Sequence, residues 1–138
     1  MTISLHPSTL PSVLSPVITP FKADGSPDEA KLLKQCKWLQ SSGVGLAIFG
    51  TNSEANSMSA PQKMVALTTL VKGGLDPAQM MPGTGATSID ATVMMTRHAL
   101  SHQCAAVLML PPFYYKDVSD DGLFAFYSDV IQKVGDAN

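Results

Sequence analysis

Short apolar runs alternate along the chain with longer segments in which apolar residues recur at helical spacing. The four runs lie at residues 13–18, 44–49, 80–83 and 105–110, and none shows a strict apolar–polar alternation. Continuous apolar runs of this length are typical of strands that are covered on both faces in a parallel sheet. Four successive strand–helix units therefore predict an α/β fold with parallel strands and right-handed crossovers. We place Pro82 at the end of the third strand, because proline cannot donate to a sheet ladder.

Capping signals predict where the first two helices begin. Ser26 stands three residues before Glu29, with Pro27 at the expected first helical position, and this is the pattern of a capping box. Ser59 and Gln62 repeat the same spacing before the second helix. Gly43 is expected to end the first helix in the left-handed conformation, and the pair Gly73–Gly74 is expected to close the second.

Each helix has an apolar stripe that is expected to face the sheet. The third helix is expected from about residue 88 to residue 101, and the fourth has the strongest periodic pattern. The stripes are Leu32, Cys36 and Leu39 in the first helix, Met64, Leu67 and Val71 in the second, Ala91, Met94, Met95 and His98 in the third, and Leu123, Phe126, Tyr127, Val130, Ile131 and Val134 in the fourth.

Two architectures fit four parallel strand–helix units. One is a (β/α)₈ TIM barrel, of which the chain supplies about the first four βα units, since a whole barrel takes about 250 residues and the chain has 138. The other is an open, doubly wound sheet in a complete small domain, and the pattern alone leaves it open. In the barrel interpretation, residues 1–12 are an N-terminal extension and residues 13–138 are the first half of the barrel, with strand order 1-2-3-4 and the helices outside.

Composition narrows the classes of partner. The formal net charge is -2 and the chain has no basic run, so we expect no nucleic-acid partner and no anionic membrane surface. No apolar run approaches the roughly 20 residues of a membrane span, and the first residues lack a basic signal-peptide region. Cys36 and Cys104 lie in apolar stretches outside any CxxC or metal spacing, and we interpret both as core thiols in a reducing compartment. A soluble, cytoplasmic protein with small-molecule partners is expected.

Candidate chemistry lies in the loops that follow the strands, because the carboxyl ends of parallel strands carry the sites of such folds. The four loops are residues 19–21, 50–54, 83–86 and 111–115. In the second, backbone N–H groups together with Thr51 and Asn52 could grip a carboxylate. An ordinary polar turn explains the same residues, and the pattern alone does not decide between the two.

Metal sites are not expected. His98 and His102 are four residues apart on a helix, but no HExxH motif or nearby carboxylate or cysteine partner accompanies them, so we interpret them as ordinary helix histidines. Asp117, Asp120 and Asp121 lack the spacing of a calcium loop. They are better explained as acids that complement the dipole at a helix N-terminus.

Two further loop features have different interpretations. Residues 83–85, Gly-Thr-Gly, lack the spacing of a phosphate loop, and close backbone packing is the better explanation. Tyr114 and Tyr115 stand beside prolines at a strand end, where phenols are costly to bury unless their hydroxyls have partners. The two tyrosines are therefore candidates for a proton relay.

These loops, taken together, resemble the dihydrodipicolinate synthase/N-acetylneuraminate lyase family in order and spacing, from about residue 13 to residue 134. The matching segments are Thr19-Pro20-Phe21, Gly50-Thr51-Asn52-Ser53-Glu54, Gly83-Thr84-Gly85-Ala86, Pro112-Phe113-Tyr114-Tyr115 and Ser119-Asp120-Asp121-Gly122-Leu123. The resemblance implies a (β/α)₈ barrel that commonly forms a homotetramer and uses no cofactor. It also implies a lysine Schiff base with pyruvate, which becomes an enamine and adds to an aldehyde or oxo-acid, or the reverse cleavage.

The resemblance also implies roles for individual residues. Thr51 matches a threonine that passes protons and lies next to the substrate, and Tyr115, or Tyr114 instead, matches a catalytic tyrosine that reaches across a dimer interface. Asn52 stands where the family usually has threonine or serine to hold the pyruvate carboxylate, and Ser53 stands where glycine is usual. We therefore expect Thr51, Asn52 and Ser53 to bind substrate, and Thr51 with Tyr115 or Tyr114 to act in catalysis.

The Schiff-base lysine of the family stands on the sixth strand, beyond residue 138. None of the eight lysines in the chain lies within an apolar run. The interpretation is therefore the N-terminal part of a class I aldolase or synthase, resembling dihydrodipicolinate synthase of lysine biosynthesis. The alternatives are a hydroxy-oxo-acid aldolase or another lyase of the family, and a non-catalytic binding or assembly fragment.

Overall fold

The computed structural model describes residues 10–135, so most of the expected N-terminal extension, residues 1–12, lies outside the described residues. Within these residues two β-strands pair in parallel, and the third and fourth apolar runs are shorter strand segments. An α-helix follows each of the two strands and each of the two segments. The elements are β1 (Leu14–Pro16), α1 (Glu29–Ser41), β2 (Gly45–Ala47), α2 (Ala60–Lys72), α3 (Ile89–Ser101) and α4 (Asp120–Val134). Single 3₁₀ turns lie at Thr51–Ser53, Ala55–Ser57 and Pro77–Gln79.

Parallel pairing continues from β2 through the third and fourth apolar runs. Leu46 forms a parallel bridge with Met80, and Gly83 forms one with Leu108. The Gly83 N–H donates to the Ile48 carbonyl at 2.7 Å. These pairings follow the order predicted from the sequence. The third and fourth runs contribute isolated bridges rather than extended strands, so they are shorter as strands than the pattern predicted.

Consecutive helices contact one another, α1 with α2, α2 with α3 and α3 with α4. This arrangement is typical of helices that lie side by side on the outside of a barrel, whereas an open doubly wound sheet places helices on both faces. The main core lies between the strand segments and the first three helices, and a smaller cluster around Phe126 and Val130 joins α4 to α3. Within residues 10–135, no helix is long and apolar enough to span a membrane.

The start of α1 differs from the prediction. Its N-cap is Asp28, whose side chain accepts a hydrogen bond from the Lys31 N–H at 3.1 Å. Ser26 instead donates its hydroxyl to Asp24 at 2.7 Å, so the capping box predicted between Ser26 and Glu29 is wrong. A carboxylate directly before the helix can satisfy the free N–H groups by itself.

The other predicted helix ends are confirmed. Ser59 and Gln62 form a reciprocal capping box at the start of α2. Gly43 has φ 77° and donates its N–H to the Gln40 carbonyl at 2.9 Å. Gly74 has φ 91° and closes α2 in the same way.

The buried face of α3 is rotated away from the predicted stripe. Met94 is exposed and His98 is half-buried, whereas Thr92 and Thr96 are buried. Thr96 donates its hydroxyl to Thr84 at 3.0 Å, and Thr92 donates to the Ser88 carbonyl at 3.0 Å. Buried threonines are tolerated because their hydroxyls find partners nearby, and a search for apolar residues alone passes over them.

The two cysteines are core thiols, as predicted. Cys36 and Cys104 are buried and form no disulfide. Burial raises the pKa of the Cys36 thiol to about 12 and that of Cys104 to about 11. Neither thiol is poised to ionise near neutral pH.

The fourth apolar run is not covered on both faces in this chain. Leu108 is 39% exposed and Leu110 is 40% exposed, so the predicted double coverage is wrong for this segment. The two leucines line a cleft at the carboxyl ends of the strand segments, which is also lined by Thr51 and Phe113. An uncovered apolar edge of this kind promotes association.

We therefore expect the 138-residue chain to self-associate in a concentration-dependent manner. Sedimentation velocity over a range of protein concentrations measures this directly, and Leu108→Lys should shift the distribution toward smaller species. A chain that remains a compact, cooperatively melting monomer at every concentration would show that the exposed edge is stable without a partner.

Candidate functional site

The loop after β2 is held in an unusual backbone conformation. Phe49 and Glu54 have φ values of 59° and 55°, and between them Thr51–Ser53 forms one 3₁₀ turn. The left-handed region is unfavourable for residues other than glycine, and such strain clusters at functional sites, where surrounding contacts maintain it. The loop therefore needs specific contacts to hold its shape.

Hydrogen bonds to the segment after β1 supply those contacts. The Thr19 N–H donates to Glu54 Oε2 at 2.7 Å, and the Thr19 hydroxyl donates to the Ser53 carbonyl at 2.7 Å. The Ser53 hydroxyl donates to the Ala47 carbonyl at 3.3 Å. Thr19 is buried, and the first and second loops are thereby joined.

Ser53 was expected to contact substrate, but it is fully buried. Its hydroxyl donates to Ala47 and its N–H donates to the Gly50 carbonyl at 3.0 Å. Both of its donors are occupied within the protein. In this structure Ser53 anchors the loop and is not exposed to a ligand.

Thr51 and Asn52 are exposed, as a ligand-binding role requires. Thr51 lines a cleft that is also lined by residues of the loops after the third and fourth runs, among them Gly83, Gly85 and Phe113. Asn52 is not among the residues that line this cleft. The structure thus brings the second, third and fourth candidate loops together, and Thr19 connects the first.

Residues 83–85 pack against neighbouring backbone, as predicted. A Cβ atom on Gly83 would lie 2.1 Å from the Phe49 carbonyl oxygen, and one on Gly85 would lie 2.6 Å from the Leu110 nitrogen. Real Cβ atoms do not approach backbone this closely. These glycines allow the strand ends to come together around the cleft.

Tyr114 and Tyr115 are exposed, at 76% and 59%. Their rings meet edge to face with centroids 5.7 Å apart. Burial therefore does not force their hydroxyls to find partners, contrary to the reasoning from sequence. Within residues 10–135, no hydrogen bond joins Thr51 to either tyrosine, and their relay stays a prediction.

Lys63 is a feature that the sequence reasoning missed. This α2 residue is only 8% exposed and lines a small cavity with Phe49 and Thr84. Burial lowers the pKa of its amine. The available signal was spacing, because Lys63 precedes the buried Leu67 and Leu70 by four and seven residues on one helix face.

Comparison with known proteins identifies the family. The sequence profile of the Dihydrodipicolinate synthetase family matches residues 9–138. The chain belongs to this family. A 4-hydroxy-tetrahydrodipicolinate synthase of Acidithiobacillus ferrooxidans is 26% identical over 117 residues, which are 84% of the chain and 40% of that protein. The chain therefore spans about two fifths of the length of this relative.

Solved structures of the family have the same fold. Dihydrodipicolinate synthase from Agrobacterium tumefaciens superposes with a TM-score of 0.87 at 31% identity, over 91% of this chain and 44% of that one. YagE from Escherichia coli K12, a prophage protein solved in complex with pyruvate, gives a TM-score of 0.78 at 25% identity, over 88% of this chain and 41% of that one. The chain is thus α/β, with the fold of part of the family's TIM barrel.

Proposed function

We propose that the chain forms the N-terminal part, about the first four βα units, of a pyruvate-dependent class I aldolase or synthase. The observation that carries the proposal is the convergence of three strand-end loops on a cleft beside Thr51 in a member of this family. In the complete enzyme a lysine amine condenses with the ketone of pyruvate and water leaves. Loss of a methyl proton then gives an enamine, which forms a carbon–carbon bond with an aldehyde or oxo-acid.

We assign proton transfer to Thr51 and Tyr115, with Tyr114 as the second candidate for the tyrosine. The Thr51 hydroxyl is exposed at the cleft and can both donate and accept. Both phenols project from the chain, which suits a tyrosine that reaches the site of a neighbouring subunit. A cytoplasmic homotetramer is the assembly we propose.

We propose that Asn52 and the backbone N–H groups of its loop bind the carboxylate of pyruvate. The exposed amide can donate one or two hydrogen bonds to a carboxylate. The synthase of lysine biosynthesis is the first candidate for the activity. Because Asn52 replaces the usual hydroxyl with a longer side chain, cleavage of a hydroxy-oxo-acid is the second.

Borohydride trapping tests the proposal. A protein that extends through the rest of the barrel should gain the mass of a reduced pyruvate adduct on a lysine beyond residue 138, because borohydride reduces the imine to a stable amine. The 138-residue chain should gain none, since none of its lysines lies on β1 or β2. Lys63 is the sharpest internal control, because its amine has a lowered pKa.

Each outcome has a distinct meaning. An adduct on Lys63 of the 138-residue chain would overturn the location of the Schiff base. The absence of any adduct in the extended protein would overturn the aldolase proposal and favour a non-catalytic binding or assembly role.

A further inference from the structure

A polar cluster lies between α2 and α3, on helix faces that the proposed reaction does not use. Thr68 of α2 faces His98 and His102 at the C-terminal end of α3, and all three residues are half-buried. The Thr68 hydroxyl lies 3.1 Å from His98 Nε2 and 3.0 Å from His102 Nε2. The two imidazole nitrogens therefore converge on the same oxygen atom.

Hydrogen-bond counting determines which nitrogens hold protons. His98 Nε2 also lies 2.9 Å from the Met64 carbonyl, which can only accept, so this nitrogen carries a hydrogen. Thr68 has a single O–H proton and can donate it to His102 Nε2. His102 Nε2 thus presents an unprotonated lone pair.

The imidazole pair has the spacing of a helical metal-binding pair. Histidines four residues apart lie on the same face of a helix and can bind one ion together. The ring centroids of His98 and His102 are 4.6 Å apart. Binding one ion through both Nε2 atoms requires transfer of the His98 proton from Nε2 to Nδ1, which frees the Nε2 lone pair for a metal–imidazole bond, typically of about 2.0–2.1 Å.

We propose that His98 and His102 bind a late first-row divalent metal ion through their Nε2 atoms, with Thr68 as an oxygen donor beside it. Imidazole ligands suit copper, nickel and zinc, and Cu²⁺ binds such sites most tightly. The cluster borders an open groove between α2 and α3 that is lined by Met64, Met94 and Lys72 among others. An ion can therefore enter from solvent.

The local electrostatics support ligation by neutral imidazole and limit its strength. Burial, then His98, then Lys72 lower the pKa of His102, which favours the neutral form of imidazole that binds metal ions. The Lys72 ammonium also repels a bound cation. Removing that charge should strengthen binding, which distinguishes this site from binding elsewhere on the chain.

Titration of the 138-residue chain with Cu²⁺ tests the site, with calorimetry for affinity and electron paramagnetic resonance for ligand type. We expect saturable binding of one ion per chain with nitrogen ligands. His102→Gln should weaken binding by about tenfold or more, because loss of a direct ligand should cost at least as much as the 10–100-fold typical of outer-shell losses. Lys72→Gln should tighten it.

The third histidine of the sequence, His6, provides the matched control, and His6→Gln should leave the affinity unchanged. His98→Gln also removes the contact to the Met64 carbonyl and can loosen the helix pair. His102→Gln, checked for folding by circular dichroism, therefore carries the test. Unchanged affinity in His102→Gln, weaker binding in His6→Gln, or no saturable binding would each overturn the proposal.

Discussion

Thr51→Val in a protein that includes the rest of the barrel is expected to lower kcat by roughly 100-fold or more while changing the KM for pyruvate little. Valine nearly preserves the shape of threonine but removes the hydroxyl that can both donate and accept. General acid–base help contributes about 10²–10⁴-fold to such reactions. Steady-state kinetics with pyruvate varied at saturating second substrate measures both constants.

Asn52→Ala should change a different kinetic constant from Thr51→Val. An amide can donate to a carboxylate but relays protons less readily than a hydroxyl, so its loss should raise the KM for pyruvate more than it lowers kcat. Asn52 and Thr51 are adjacent and both exposed, so the pair controls for general disturbance of the loop.

A double variant tests whether Thr51 and Tyr115 act together. Tyr115→Phe should resemble Thr51→Val, and combining the two should cost much less than the sum of the separate losses, because members of one relay fail as a unit. Tyr114→Phe is the matched control, since the two rings are neighbours in the same loop. Additive losses would remove the reason for assigning this relay, and a larger effect of Tyr114→Phe would move the role to that residue.

The sequence was informative wherever one short segment contained the whole signal. Four apolar runs predicted parallel pairing in chain order, and the capping box of Ser59 with Gln62 predicted the start of α2. Close packing at residues 83–85 was predicted because no phosphate-loop spacing was present. The direct contact of consecutive helices then favours the barrel over the open sheet that the pattern had left open.

The sequence was less informative wherever a contact joined distant segments. The bonds from Thr19 to Glu54 and to Ser53 span 35 and 34 residues, and they join the first two loops at the buried Ser53. The convergence of Thr68 on His98 and His102 spans 30 and 34 residues. The spacing of the two histidines along the sequence gave no sign of Thr68, because Thr68 lies on another helix, α2.

It was also difficult to predict which face of a helix is buried. The buried face of α3 includes Thr92 and Thr96, whose hydroxyls donate to Ser88 and Thr84, so apolar periodicity indicated the wrong rotation. Lys63 was overlooked for a related reason, since charged residues are rarely buried. Lys63 lines a small cavity together with the apolar residues Met64 and Leu67, and a lysine can bury its aliphatic stem in such a place.

Gly83→Ala is expected to cause the largest loss of stability among single-methyl changes in this chain. The added Cβ would lie 2.1 Å from the Phe49 carbonyl oxygen and 2.6 Å from its carbonyl carbon. These are backbone atoms of the adjoining strand segment, which cannot rotate away as a side chain can. Overpacking typically costs about 1–3 kcal/mol, and we expect a loss at or above about 3 kcal/mol here. Chemical denaturation followed by circular dichroism measures the change.

Gly50→Ala is the matched control for this substitution. Its Cβ would meet only Leu108 Cδ2, at 3.6 Å, which is an ordinary contact, and the φ of Gly50 is -84°, which alanine adopts readily. Gly50→Ala should therefore leave the free energy of unfolding almost unchanged. Equal losses in the two variants would mean that flexibility, rather than close approach, is what these glycines provide. A stable Gly83→Ala chain would show that the strand segments leading to the cleft can move apart without loss of the fold.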